Sequence, residues 1–196
     1  MAFALATALT LTAATPVDAA ATTTQISTTV HGAPGLVPTP AAPLQPTPDR
    51  QVRAAWLQAK AVKAEARSLR IRHTRAQVVK LARRQVGDTY SAGGNGPDRF
   101  DCSGLTQYVF KKAAGKHLPH QSRAQWAHVK RIPKSKAQPG DLVFFFEGGA
   151  HHVGIYIGNG RMVDARGYGE GVRISPIKGS WWGRSYTGMG RILPAA

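Results

Sequence analysis

Cys102 is the only cysteine in 196 residues, and it stands in the run Phe100-Asp101-Cys102-Ser103-Gly104-Leu105. Downstream lies His151-His152-Val153-Gly154-Ile155-Tyr156-Ile157-Gly158. A lone thiol and a strand-borne imidazole are the pair that nucleophilic catalysis by cysteine requires, and they point to a cysteine hydrolase. That chemistry needs the thiolate, which an ordinary cysteine with a pKa of about 8.5 supplies sparingly at neutral pH. A helix N-terminus and an adjacent imidazolium both favour the thiolate. The competing reading is a small buried core residue, as most free cysteines are. Ser103 and Gly104 argue against it, being poor choices for a packed helix interior.

The elements around these residues must position them. Residues 102–114 read as a helix, with Leu105, Tyr108 and Val109 on one face and Asp101 as its N-cap. Cys102 then lies in the first turn. The charge of Asp101 opposes a thiolate there, so the imidazolium must contribute more. On the histidine strand, Val153, Ile155 and Ile157 form the apolar face, and His152, Gly154 and Tyr156 form the other. His151 shares parity with the core face and is placed at the strand entrance, while His152 faces the cleft, with the small Gly154 beside it leaving room for a substrate. A third group should hold the far nitrogen of the imidazole, and Asp164 is the candidate. A two-residue Asn159-Gly160 turn alone would set Asp164 opposite Ile155, on the wrong face. A three-residue loop with a bulge and a left-handed Gly160 sets it opposite Gly154 and diagonal to His152, and that loop is the expectation. The competing reading of Asp164 is a solvated strand residue.

Asp101-Cys102-Ser103-Gly104, Pro139-Gly140-Asp141-Leu142-Val143-Phe144-Phe145 and His152-Val153-Gly154-Ile155-Tyr156-Ile157-Gly158-Asn159-Gly160 together resemble the NlpC/P60 peptidases, papain-like cysteine endopeptidases of bacterial cell-wall peptides. The resemblance covers residues 74–196. It implies Cys102 as nucleophile, His152 as base and Asp164 as the third polar residue, where many members carry His. It also implies that Tyr90, in Tyr90-Ser91-Ala92-Gly93-Gly94, joins the Cys102 amide in an oxyanion hole, with Ala92 where an aromatic residue is common. A buried structural tyrosine is the competing reading of Tyr90. Asp101 and Ser103 could bind the substrate peptide, although capping explains both nearly as well. The implied substrate is the peptidoglycan stem peptide, cut between γ-linked D-glutamate and the following diamino acid. An amidase of the same fold and a catalytically silent wall-binding protein are the alternatives.

The expected architecture is α+β: N-terminal helices packed on an antiparallel β-sheet, one catalytic domain over 74–196. A capping box of Thr74 with Gln77 is read as opening a helix over 75–85, and Ser122 with Gln125 repeats the signature. Strands are expected at 142–146, 153–157, 161–164, 172–174 and near 186–193. Before the domain, residues 1–21 form a short apolar stretch ending in Val17-Asp18-Ala19-Ala20-Ala21, which resembles a signal peptide although no Lys or Arg precedes it. Residues 22–48 are a Pro/Ala/Thr-rich linker, and 49–73 a basic helical segment with Val52, Trp56 and Leu57 as a weak apolar stripe, docked loosely or solvated. The protein is expected to be secreted or wall-associated.

Lys and Arg number 26 against 10 Asp and Glu, a formal net charge of +16. With Arg50, Arg53, Lys60, Lys63, Arg67, Arg70, Arg72 and Arg75 gathered before the core, anionic wall polymers are the expected partner of the basic segment. Nucleic acid is not expected, for want of aromatic interleaving or a nucleic-acid motif. No cofactor and no metal are expected: adjacent His151 and His152 face opposite ways on a strand, one cysteine makes no multi-thiolate site, and no Gly-Lys-Ser/Thr follows the glycines.

Overall fold

The computed structural model describes residues 47–149, 151–179 and 182–196. The signal-like stretch 1–21 and nearly all of the linker 22–48 lie outside the described residues. Helix α1 runs from Pro48 to Arg84, with Pro at its first position, where the missing N–H costs nothing. Two separate helices were the expectation, divided at Thr74. One helix forms instead because nothing between Asp49 and Arg84 is Gly or Pro, so the helix propagates through Thr74, whose hydroxyl donates to Arg70 O (3.0 Å) rather than capping. The domain boundary drawn at 74 therefore falls inside α1. Residues 48–67 of this helix are exposed, Val52, Trp56 and Leu57 included, whereas Arg75, Val78 and Ala82 are buried.

A short parallel pair, β1 (Thr89–Tyr90) and β2 (Arg99–Phe100), leads into α2 (Cys102–Ala114). The expected bounds of α2 hold at both ends. Asp101 caps it by accepting from Gly104 N, and Gly115 ends it in the left-handed conformation, where a side chain would be strained. Helix α3 (Ser122–His128) follows. Its expected capping box does not form: Gln121 is the N-cap, Ser122 is the first helical residue, and the Gln125 side chain is drawn into the core instead. There Gln125 accepts from Thr106 Oγ1 (2.8 Å) and donates to Ser103 O (3.0 Å) and Pro119 O (2.7 Å), tying α3 to the first turn of α2.

The remaining strands are β3 (Lys130–Ile132), β4 (Leu142–Phe145), β5 (His152–Gly158), β6 (Arg161–Ala165), β7 (Val172–Pro176) and β8 (Tyr186–Arg191), with a short helix α4 (Trp182–Ser185) before β8. They form one six-stranded antiparallel sheet in the order β3-β8-β4-β5-β6-β7. β3 was not foreseen, since Lys130-Arg131-Ile132 offers little apolar signal; it is recruited by pairing with β8. Leu142, Phe144, Val153, Ile155 and Val163 meet Val78, Ala82, Leu105 and Val109 of the helices in the main core. Val143, Phe145, Met162 and Met189 pack on the opposite face. Both faces are thus covered, and burial of this apolar surface supplies the main driving force for folding.

A buried ion cluster fastens α1 to β8 and the tail that follows it. Asp141, fully buried, accepts from Arg75 Nη2 (2.8 Å) and from Arg191 Nε and Nη2 (3.0 and 2.7 Å). Arg75 also donates to Pro139 O and Pro194 O, so α1, the turn before β4 and the C-terminal tail share one guanidinium.

Candidate active site

Cys102 is the first residue of α2, and β5 begins with His152; the two starts meet, with Cys102 Sγ 3.9 Å from the His151 carbonyl oxygen. His152 is buried, and its Nε2 donates to Asp164 Oδ2 (2.9 Å), which leaves Nδ1 as the ring nitrogen for the Cys102 thiol. An imidazolium there donates toward the Cys102 sulfur as thiolate, an attraction that favours the charged ring. Asp164 is fully buried, and its second oxygen has no hydrogen-bond partner among the described residues. The carboxylate charge is therefore directed at His152. Burial penalises the imidazolium, but the bonds to Asp164 and Cys102 outweigh it and raise the His152 pKa to about 9. At neutral pH the site can hold an imidazolium poised to stabilise a thiolate.

Asp164 reaches His152 by a different route from the one anticipated. The hairpin closes on a two-residue turn, Asn159 and Gly160, both at positive φ (51° and 66°), between paired Gly158 and Arg161. The extra residue is in β5: a bulge between Tyr156 and Gly158 shifts the register so that Ile155 pairs with Val163. Asp164 thereby falls opposite Gly154, on the face that carries His152. Gly154 does not open room for substrate as expected. A Cβ there would lie 2.8 Å from Met162 Sδ and 3.3 Å from Asp164 Cβ, so the absent side chain makes room for Asp164 itself.

Asp101 and Ser103 are occupied with structure. Asp101 Oδ1 accepts from Gly104 N (2.7 Å) and Ser103 Oγ (3.0 Å), and Oδ2 from Gly93 N (3.0 Å) and His120 Nε2 (2.9 Å). Ser103 is buried. These contacts favour the capping reading over substrate binding, and they spread the Asp101 charge over four donors. His120 was missed by sequence reasoning; it lies after a Leu-Pro pair with no pattern to mark it, and only the fold brings it to Asp101.

Tyr90 pairs with Phe100 across β1 and β2, two residues before Cys102, and is half-buried. Burial raises its pKa, and the charges of Cys102 and Asp101 add to that, so its hydroxyl stays protonated and able to donate. The Cys102 amide belongs to the first turn of α2, where N–H groups have no intrahelical acceptor. Both donors suit an oxyanion.

Gly104 fixes how closely the glycine loop can approach the nucleophile's helix. A Cβ on it would sit 2.0 Å from Gly94 O and 2.8 Å from His120 Nε2. Gly104→Ala is expected to force loop and helix apart and cut turnover by roughly 10²-fold or more, the scale of a 1 Å misplacement. Steady-state kinetics on the folded variant would check this, and turnover within twofold of wild type would contradict it.

A papain-like α+β domain with a Cys-His-Asp array at the junction of α2 and the sheet is the class that this fold and geometry define. The chain belongs to the NlpC/P60 family, whose model matches residues 87–191. It is similar to the probable endopeptidase p60 of Listeria monocytogenes, 52% identical over 116 residues that make up 59% of this chain and 23% of that protein. It is also similar to a gamma-DL-glutamyl hydrolase of Bacillus subtilis, 40% identical over 118 residues, 58% of this chain and 28% of that protein. Among solved structures it resembles RipD of Mycobacterium tuberculosis, a non-catalytic NlpC/p60 domain protein adapted to peptidoglycan binding. That match is 27% identical with a TM-score of 0.54, covering 61% of this chain and 98% of the chain in that structure.

Proposed function

We propose that the protein is a secreted or wall-associated cysteine endopeptidase that hydrolyses peptide bonds in peptidoglycan stem peptides, at the bond between γ-linked D-glutamate and the following diamino acid. The observation that carries this reading is the buried Asp164–His152 pair set against the Cys102 thiol. The thiolate attacks the carbonyl carbon, and the Cys102 amide and the Tyr90 hydroxyl receive the oxyanion. His152 protonates the leaving amine, giving a thioester on Cys102; His152, now neutral, takes a proton from water as the water attacks the thioester and regenerates the thiolate. The gamma-DL-glutamyl hydrolase supports the choice of bond. The intact array argues against a silent wall-binding role of the RipD kind. The test is incubation with synthetic L-Ala-γ-D-Glu-L-Lys-D-Ala: a new free α-amine on Lys supports the reading, whereas an intact peptide, with whole stems released from glycan strands, would replace it with an amidase.

Export rests on the signal-like stretch 1–21, and retention at the wall on the exposed half of α1. From Asp49 to Arg72 that helix carries seven Lys or Arg side chains against Asp49 and Glu65 alone, giving non-directional, salt-sensitive attraction to anionic polymers. Replacing Arg50, Arg53, Lys60, Lys63, Arg67 and Arg70 with Gln, which preserves helix propensity, is expected to release the protein from purified walls at lower salt than wild type. Identical elution in a salt gradient would reject the arm as the anchor.

A further inference from the structure

Tyr168 is the most exposed large apolar or aromatic side chain of the described residues whose exposure is notable, at 76%, and apart from Val86 the others of that group lie on α1. Solvated rings on a loop are ordinary, but this one is held in place and aimed. It belongs to the β6–β7 connection, which starts two residues after Asp164. The connection is closed on itself by Arg166 N to Gly171 O (3.0 Å) and Gly171 N to Gly167 O (3.1 Å). Glu170 pairs with both Arg166 (3.1 Å) and Arg173 (2.6 Å) across its base. The base is also locked to the segment entering β1: Val172 N donates to Asp88 O and Gly87 N to Val172 O, both at 2.9 Å. Gly171 at φ 62° passes so close to this segment that a Cβ would lie 2.4 Å from Asp88 O. From that base the Tyr168 ring stands edge-to-face on Tyr90, with centroids 4.9 Å apart and planes at 74°.

One hairpin thus sets both Asp164 and, through its loop, an aromatic ring against Tyr90, whose strand pairs with the residues that lead into Cys102. We infer that Tyr168 is a specificity-determining residue of the endopeptidase proposed above, its exposed ring receiving the peptide chain of the substrate beyond the residue that Tyr90 contacts. The chemistry suits a stem peptide: a ring face takes peptide planes and the methylene chains of γ-linked glutamate and diamino acids, making no demand on charge. The binding energy so gained depends on peptide length and is remote from the reacting atoms. Contact with the ring that is the same in the bound substrate and in the transition state is uniform binding, so the effect is expected on KM and on selection of longer peptides, with kcat unchanged.

The experiment measures dissociation constants of the full chain carrying Cys102→Ala, which prevents turnover, for L-Ala-γ-D-Glu-L-Lys-D-Ala and for end-blocked γ-D-Glu-L-Lys. Tyr168→Ala in that background is expected to weaken the tetrapeptide about tenfold and the dipeptide less than twofold, with Tyr168→Phe restoring the tetrapeptide. In the otherwise native chain, Tyr168→Ala should raise KM and leave kcat and the rate of Cys102 alkylation by iodoacetamide within twofold. Equal binding of the tetrapeptide with and without Tyr168 would overturn this inference alone, as would a fall in kcat at constant KM, which would make Tyr168 a support for Tyr90. No binding of either peptide with Tyr168 intact would overturn the endopeptidase reading and this inference with it.

Discussion

Asp164→Asn is expected to lower kcat by about 10³- to 10⁴-fold, the scale seen when an orienting carboxylate behind a catalytic histidine is made neutral. It is also expected to move the alkaline limb of the pH–rate profile downward. The sign follows from the geometry. Burial alone would push His152 below its usual 6.5, and the bonds to Asp164 and Cys102 raise it to about 9 against that penalty. The imidazolium therefore persists from acid to about pH 9, and activity that needs it declines as pH rises through 9. The same raised value makes the pair stabilise the fold fully below pH 6.5, with that contribution lost progressively between 6.5 and 9 as the folded-state proton leaves. In Asp164→Asn the charge is gone while burial remains, so the limb should fall by more than one pH unit. An unshifted limb would show that Cys102 alone holds the proton on His152.

Asp141→Ala is expected to destabilise the fold by about 3 to 5 kcal/mol, because removing one member of a buried ion pair leaves the other charge stranded. Here two guanidinium groups are stranded, with side chains only 5% and 13% exposed. The loss also frees Gln138 N, which donates to Asp141 Oδ2 (2.8 Å), and loosens the grip of Arg75 on Leu193 and Pro194. For a chain of this size the change corresponds to a fall in Tm of about 10 °C. Urea unfolding would measure it. A loss below about 1 kcal/mol would mean that Arg75 and Arg191 find water or the backbone at little cost. Asp141 belongs to the Pro139-Gly140-Asp141 run that helped carry the family resemblance, yet its side-chain ion pairs are with Arg75 of α1 and Arg191 of β8 and not with the site around Cys102.

Helix α2 was legible at both ends because its signals are local: Asp101 caps, Gly115 terminates, and Leu105 and Val109 repeat at helical spacing. The pairing of His152 with Asp164 was legible because side chains alternate along strands, so only one register brings them together. The device that sets this register was not. A turn with an inserted residue in the loop and a turn with an inserted residue in β5 give the same register, and sequence does not choose between them. Thr74 misled because a capping pattern is only a cap if the backbone before it is not already helical. Ser122 failed for a different reason, since its partner Gln125 is claimed by Thr106, Ser103 and Pro119. His120 and Tyr168 reach Asp101 and Tyr90 only through loops, and their roles depend on tertiary placement that no periodicity records.

Digestion of purified peptidoglycan with the full chain and with Cys102→Ala, followed by mass spectrometry of the soluble fragments, tests the central claim most directly. Fragments cut inside the stem peptide are expected from the native chain and are lost with Cys102→Ala. The same fragments from Cys102→Ala, or none from the native chain while it stays bound to the walls, would contradict that claim.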